Sequence, residues 1–554
     1  MQRQVLYLGE INDAQHASWV KAIDVIESGK SGARQVALFP ADRAGVGDQE
    51  CVHVRLNKLE LHRPRQWGAC WLACELWDVL RLDEFWGGKL GVTREGTRWL
   101  NVLKLLVAYR LISPGSEWRL HRQWYQESAM GDLLGEDFEI AEIHKLYRCL
   151  DRLLPHKDDI FVFLKQRWGE LFKPTFDVLL YDLTSTYFEC DAPKEGKRRF
   201  GYSRDKRSDC LQVVIALVVT PEGFPLAYEV LPGNTSDKTT LRDFLSKIEQ
   251  RYGKLNRTWV MDRGVPTEEV LEEMRRDGVS YLVGTPRGRL SKLEQSFLDL
   301  PWTEARQSVA VKLLPQDNEV YVLARSVDRV GKERSMRKRS MKRYWKRLAE
   351  LQKMSISRDE LLLKFGVAKH DAGAASRLVD VELPAVGVDK PPLSYSLNKQ
   401  RLREIRRREG TYLLRSNIVG ENPETLWQRY IQLTEVEQAF KDLKQDLGVR
   451  PIYHQKDPRI EAHIFVAFLA FCLHVTLRNR LRVHAPGLTS RAVIEKLATI
   501  QMVDVVVPTT DNRKVTLRRY TQPSKDAQLI LDCLKLVLPL QPPPKISSSG
   551  QLLH

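Results

Sequence analysis

The sequence predicts a multidomain α/β protein: a mixed sheet with flanking helices, split by a β-rich insertion and preceded by an α-rich N-terminal region. Three observations predict it. Apolar residues recur at helical spacing from Leu59 to about Phe172. From Pro174 the pattern changes to short apolar runs bounded by turn residues. The strand–helix rhythm then stops near Arg287 and resumes near Glu409.

Taken in order, residues 1–172 form the first region. Val5–Leu8 and Gln35–Phe39 read as short extended runs. Trp67, Trp71, Leu72 and Leu76, and then Trp99, Val102, Leu103, Leu106 and Val107, lie on helical faces. The tryptophans are expected in the core rather than on a ligand. Residues 173–287 carry Phe176–Tyr181 as a strand and Leu211–Thr220 and Pro225–Leu231 as a hairpin about a Pro-Glu-Gly turn. Asp237–Tyr252 follows as a helix, Thr258–Met261 as a strand, Thr267–Arg276 as a helix and Tyr281–Gly284 as a strand. Residues 288–409 read as the insertion, with a β-ribbon (Gln307–Leu314, Glu319–Ser326) and the basic stretch Lys332–Lys353. Residues 410–485 resume the domain with strand Thr411–Arg415, a long helix Pro423–Leu447 and an apolar helix after it. Residues 486–554 form a C-terminal region with a frayed Pro- and Ser-rich tail.

Composition narrows the function. Lys and Arg number 87 against 71 Asp and Glu, a net charge of +16. A hydrophobic fraction of 43% excludes wholesale disorder, and 29% charge argues against a membrane protein. The most apolar stretch, His463–Val475, is shorter than the ~20 residues a span needs and reads as a buried helix. A basic excess of this size points to a polyanion, with nucleic acid the first candidate. Eight scattered cysteines, with only Cys70 and Cys74 close together, read as buried thiols rather than a zinc site. With no secretory signal in MQRQVLYLGEIND, the expected compartment is a reducing cytoplasm.

Three carboxylates carry the chemistry. Asp182 ends the first apolar strand in LLYDLTSTYFE, and Asp262 ends the strand in TWVMDRGV. Singly, each suits a turn or a helix cap. Together on one sheet edge in a basic protein, they suit a hard cation such as Mg²⁺. The helix YIQLTEVEQAFKDLKQDL offers a third. Leu433, Val436, Phe440, Leu443 and Leu447 make one apolar stripe. At roughly 100° per residue, Glu437 lies about 80° from its centre, whereas Glu435 projects about 120° to the other side. Glu437 is therefore the candidate, with Tyr430 and Lys444 seven residues away on either side along the same line. A surface ion pair with Lys441 is the plain alternative.

The run Y-x2-L-x3-E-x6-K resembles, with one change, the Y-x2-R-x3-E-x6-K signature of a group of DDE transposases from bacterial insertion sequences. YDLTSTYFE, GYSRDKRSD (201–209), EGFPLAYEVLPGNTSDKTTL (222–241), MDRGV and RPIYHQKDPRIEAHIFVAFLA (450–470) are similar to that group as well. So are VLYLGEIN and LISPGSEWRL. Leu433 stands where the signature has Arg, so a phosphate contact is lost or moved to Arg429, and Leu433 joins the apolar stripe instead.

The resemblance implies an RNase H-like domain divided before the Glu. It further implies that Asp182, Asp262 and Glu437 hold two Mg²⁺ ions, with Mn²⁺ able to substitute, about 3.5–4 Å apart. Cleavage at the element ends and attack of the 3′-OH on target DNA would use one site, with no covalent protein intermediate. Lys444 would contact a DNA phosphate, with Tyr430 and Arg263 lesser candidates. Arg343, Lys346 and Arg347, beside Tyr344 and Trp345, form a candidate backbone surface; a solvated helix face is the alternative. The implied partners are terminal inverted repeats, bound by the N-terminal region, then target DNA, and a second copy in a homodimer. The implied location is the bacterial nucleoid. Two other readings stay open: an RNase H-like nuclease that does not join strands, and an inactive DNA-binding regulator.

Overall fold

The computed structural model describes residues 53–91, 96–189, 196–253, 257–383 and 393–548. The runs expected at Val5–Leu8 and Gln35–Phe39 and the VLYLGEIN segment lie outside the described residues. The strands in chain order are β1 (Glu60–Gln66), β2 (Val178–Tyr187), β3 (Gln212–Val219), β4 (Pro225–Pro232), β5 (Thr258–Met261), β6 (Ser280–Gly284), β7 (Thr303–Arg306) and β8 (Val309–Gln316). They continue as β9 (Glu319–Ser326), β10 (Val379–Glu382), β11 (Ser394–Leu397), β12 (Thr411–Ser416), β13 (Gln501–Pro508), β14 (Arg513–Tyr520) and β15 (Lys545–Ser548). The chain forms two units. One comprises Met1–Pro174, Leu183–Thr235 and Glu437–His554, the other Thr175–Asp182 and Ser236–Val436.

The second unit is built on a mixed sheet in the order β2-β5-β6-β12-β9-β8-β7. β2, β5 and β6 are parallel, as the helical crossovers Asp237–Tyr252 and Glu268–Arg276 require. β12 runs antiparallel to both β6 and β9. The ribbon expected at the start of the insertion therefore continues the main sheet, because β12 satisfies the backbone edge that β9 would otherwise expose. Its two-residue turn, Asp317-Asn318, takes positive φ at both positions, 46° and 57°, which matches the twist of the paired strands. Beyond the ribbon, 288–409 holds more helix than the strand-rich expectation allowed. Val327–Lys353, capped by the Ser326 side chain, and Arg358–Ala372, capped by Ser357, are its longest elements. They enclose a small core of Tyr344, Leu348, Leu351, Leu361 and Val379.

In the first unit, helices Gly68–Val79 and Trp99–Ile112 bury Trp67, Trp71, Trp77, Trp86 and Trp99, so these rings are core as expected. The helix Asp457–His484 packs against Trp99–Ile112 at the centre of the unit. It is long and apolar enough to cross a membrane, yet nearly all of its most apolar window is buried within the protein. Trp168 Nε1 donates to Thr476 Oγ1 at 3.0 Å, pinning a second helix to it. β3 and β4 form the expected hairpin. A separate antiparallel sheet runs β1-β13-β14-β15. The tail expected to fray pairs with β14 through Ser548. The described cysteines, Cys70 and Cys74 among them, are free thiols.

Candidate active site

Asp182 does not end its strand. β2 continues five residues past it to Tyr187, because LTSTY is rich in β-branched and aromatic residues that favour extended backbone. Asp182 instead follows the last position of the parallel pairing. Val178 to Tyr181 pair in order with Thr258 to Met261. Asp182 and Asp262 are each the next residue after the last pair, Asp262 where the β5 backbone leaves the sheet. Neighbouring strands lie about 4.8 Å apart, so the two positions leave the pairing at one level of the sheet. The buried β5 residues Thr258–Met261 fix that level. Asp182 is half-buried, and Asp262 and Arg263 are exposed.

Asp262 is oriented from behind. The Tyr430 hydroxyl donates to its Oδ1 at 3.1 Å. Burial, with the adjacent Asp262 carboxylate, pushes the Tyr430 phenol well above its ordinary range, so it remains a donor. Tyr430 stacks on Tyr412 with ring centroids 6.2 Å apart, and the Trp427 indole N–H donates to the Tyr412 hydroxyl. Gly284, at the end of β6, makes room for this arrangement. A Cβ there would lie 2.6 Å from the Tyr430 hydroxyl and 3.3 Å from Asp262 Oδ1. Sequence reasoning missed Gly284; the only signal was a glycine closing the apolar strand YLVG.

The helix expected over Pro423–Leu447 is in three pieces: Pro423–Ile431, Leu433–Lys441 and a π-helical turn Asp442–Asp446. Thr434 Oγ1 takes the Ile431 carbonyl at 2.8 Å, and Glu435 N bonds Gln432 O at 2.8 Å, which tightens the chain at the break. Tyr430, Glu437 and Lys444 thus do not lie along one continuous regular helix. The apolar stripe is as expected, since Leu433, Val436, Phe440, Leu443 and Leu447 are all buried. Arg429, the alternative phosphate contact, pairs with Glu421 at 3.2 Å.

Glu437 is exposed on Leu433–Lys441 and is the first residue of its segment in the first unit, whereas Asp182, Asp262 and Tyr430 belong to the second. Lys444 is largely buried. Its Nζ donates to both oxygens of Asp205, at 2.9 and 3.1 Å, and Arg450 reaches the same carboxylate at 2.5 Å. Arg450 and Arg207 also lie over the Tyr187 ring, at 5.7 and 5.0 Å. Ser185 Oγ accepts from the Arg204 backbone N–H at 3.2 Å. A cationic cluster therefore gathers where β2 ends. Asp205 was also missed as a functional residue, although it sits in the quoted GYSRDKRSD run.

On Val327–Lys353, Arg343 and Lys346 are exposed and Arg347 pairs with Glu350 at 2.9 Å. Tyr344, Leu348 and Leu351 bury the opposite face, so the basic residues project outward.

The family described as transposase DDE domain matches residues 177–473. No curated protein shows significant similarity to the chain. Among solved structures, a piggyBac transposase synaptic complex with hairpin DNA is similar over 77% of this chain and 79% of that one, at 9% identity and a TM-score of 0.38.

Proposed function

Since the chain belongs to the DDE transposase domain family, we propose that it is the DNA transposase of a bacterial insertion sequence, acting in the cytoplasm on the nucleoid. It binds terminal inverted repeats, cuts at the element ends and joins the exposed 3′-OH to target DNA. The observation that supports the reading is the parallel register of β2 with β5, which ends at Tyr181 and Met261, the residues just before Asp182 and Asp262.

The residues fit divalent ions. Asp182, Asp262 and Glu437 offer hard oxygen donors, and Asp262 is exposed and oriented by Tyr430. Two Mg²⁺ ions, or Mn²⁺ in their place, would supply Lewis acidity at the scissile phosphate and at the attacking oxygen. The protein's own groups do the rest. Tyr430 holds Asp262 in one orientation, so no reorganisation is needed as charge develops. Lys444, Arg450 and Arg204 present positive charge to the DNA backbone, with Asp205 limiting their mutual repulsion. Arg263 is placed beside the second aspartate for the same role, and Arg343, Lys346 and Arg347 extend the contact along the insertion helix. Neither Tyr187 nor Tyr430 is required as a nucleophile. The N-terminal region reads the repeats, and two copies act together because two ends are cut.

The test uses the full chain, Mg²⁺ and a duplex carrying one element end. Wild type is expected to nick that duplex and to join a pre-cut 3′-OH end to a plasmid. Glu437→Gln and Asp182→Asn are expected to lose both reactions while still shifting end DNA in a gel. A normal cutting rate in Glu437→Gln would remove that residue from the site, and cutting without joining in wild type would leave a nuclease.

A further inference from the structure

Among the described residues, two groups of histidine and carboxylate side chains each bring one ligand atom apiece within 4.8 Å of the others. They are Glu117 with His454 and His463, and Asp442 and Asp446 with His474. Charge separates them. In the first, the Arg110 guanidinium stands 3.6 Å from Glu117 and 3.4 Å from His463 Nδ1. The carboxylate already has its cation, and a divalent ion would meet a buried positive charge. In the second there are two carboxylates: Arg478 Nη1 is 3.4 Å from Asp442 Oδ2, and Lys441 acts on both. Arg491, which acts on Asp446, is itself paired with Glu495 at 2.8 Å.

The geometry of the second group points to a ligand. Asp442 and Asp446 open and close the π-helical turn Asp442–Asp446, a form often found at functional positions. His474 reaches them from the helix Asp457–His484 and is 4% exposed. Its Nδ1 is 3.6 Å from Asp442 Oδ2 and its Nε2 3.9 Å from Asp446 Oδ2, both too long for a hydrogen bond. His474 Nδ1 has no hydrogen-bond partner. A buried imidazole nitrogen left unsatisfied beside a carboxylate is costly, and an ion in the gap would satisfy both.

We propose that Asp442, Asp446 and His474 hold one divalent transition-metal ion, distinct from the ions of the active site. A nitrogen donor with two carboxylates selects a borderline ion such as Zn²⁺ over Mg²⁺. Tetrahedral zinc needs ligand atoms about 3.3 Å apart, so the group closes by at most about 1.5 Å on binding. Asp446, about one-third exposed, leaves a path for entry and for a water as fourth ligand. The ion clamps the turn that follows the Glu437 helix onto the central helix of the first unit. The inference is independent of the transposase reading.

The test uses Zn²⁺ with the full chain carrying Asp182→Asn, Asp262→Asn and Glu437→Gln, stripped of metal. One Zn²⁺ per chain is expected, with a rise in Tm. Adding Asp446→Asn is expected to weaken binding by about tenfold or more and to abolish the rise. Co²⁺ in place of Zn²⁺ is expected to give visible absorption that His474→Asn removes. Asp446 is partly exposed, so its variant keeps the test valid if the buried His474 variant fails to fold. Absence of bound Zn²⁺, unchanged affinity in Asp446→Asn, or loss of the ion with His454→Asn instead would each overturn the proposal.

Discussion

The Tyr430 hydroxyl donates to Asp262 Oδ1 across 168 residues of sequence, and Gly284 leaves the space in which the two meet. An aspartate at the end of a strand is ordinarily free to rotate. Here one oxygen is tied back by the Tyr430 hydroxyl.

The first prediction tests that bond. Tyr430→Phe removes a hydrogen bond to a charged acceptor, at a cost of about 1.5–3 kcal/mol where it is sheltered. Gly284→Ala puts a Cβ 2.6 Å from the same hydroxyl and should be at least as damaging. In the double variant the hydroxyl is gone, so the two costs should add to less than their sum. End-cutting rates and urea midpoints of the four proteins measure the coupling. Strict additivity would mean that Gly284 acts through something other than Tyr430.

A second prediction concerns Lys444. Asp205 accepts from both Lys444 and Arg450, so Arg450 can balance the carboxylate alone and release the lysine to a phosphate. Lys444→Gln should then reduce the salt dependence of end binding by about one phosphate contact, a slope change of roughly 0.9 in log K against log salt. An unchanged slope would make Lys444 an internal ion pair and nothing more. Asp205→Asn, which strands both cations, should destabilise the protein by about 1–3 kcal/mol.

Much of this was legible in the sequence, for stated reasons. β3, β5 and β6 are near-continuous apolar runs, and a strand buried on both faces announces itself that way. The β8–β9 ribbon was legible as two adjacent strand-like runs, and β3–β4 from its Pro-Glu-Gly turn. What the sequence hid was mostly continuation and interruption. The run of β2 past Asp182 was hidden because a carboxylate within a strand looks locally like a strand end. The helix after Pro423 breaks at Gln432 because a threonine side chain competes for a backbone carbonyl, and the apolar stripe alone carries no trace of that. The two aspartates were read as strand ends, and only Asp262 follows one, since Asp182 lies within β2. The register of β2 with β5 was not legible, since pairing depends on which strands become neighbours. Gly284 and Asp205 were illegible for a related reason, because each acts on a residue more than a hundred positions away.

A third prediction addresses how the β8–β9 ribbon is held. Glu319, at the start of β9, is buried and accepts from Arg415 Nε at 2.8 Å, from Arg275 at 2.8 Å and from the Tyr281 hydroxyl. Arg415 also bonds Glu268 through Nη1 at 2.8 Å. One carboxylate thus ties β9 to β6 and β12. Glu319→Gln leaves two guanidinium groups short of a buried counter-charge, a loss of about 3 kcal/mol. Hydrogen exchange should report faster opening of β9 and β8, with the helix Asp457–His484 unaffected. Uniform protection across both elements would show that burial, not the ion cluster, anchors the ribbon.

The last prediction is acid lability centred on His463. The ring is fully buried on Asp457–His484, facing Arg110 at 3.4 Å, Glu117 at 3.5 Å and the His454 ring, with Tyr147 against the far side of His454. Burial first, and then Arg110, push its pKa down to about 4. In the unfolded chain it returns to about 6.5. Between those values the unfolded state binds the extra proton, so stability rises with pH there. The contribution is complete above about pH 6.5 and is lost as pH falls toward 4, with a ceiling of about 3 kcal/mol. His463→Gln removes the titrating group while keeping a polar side chain. It should be less stable than wild type at pH 7.5, yet lose less on transfer to pH 5. Urea midpoints of both proteins at the two pH values decide the matter, and equal losses would place the acid sensitivity elsewhere in the first unit.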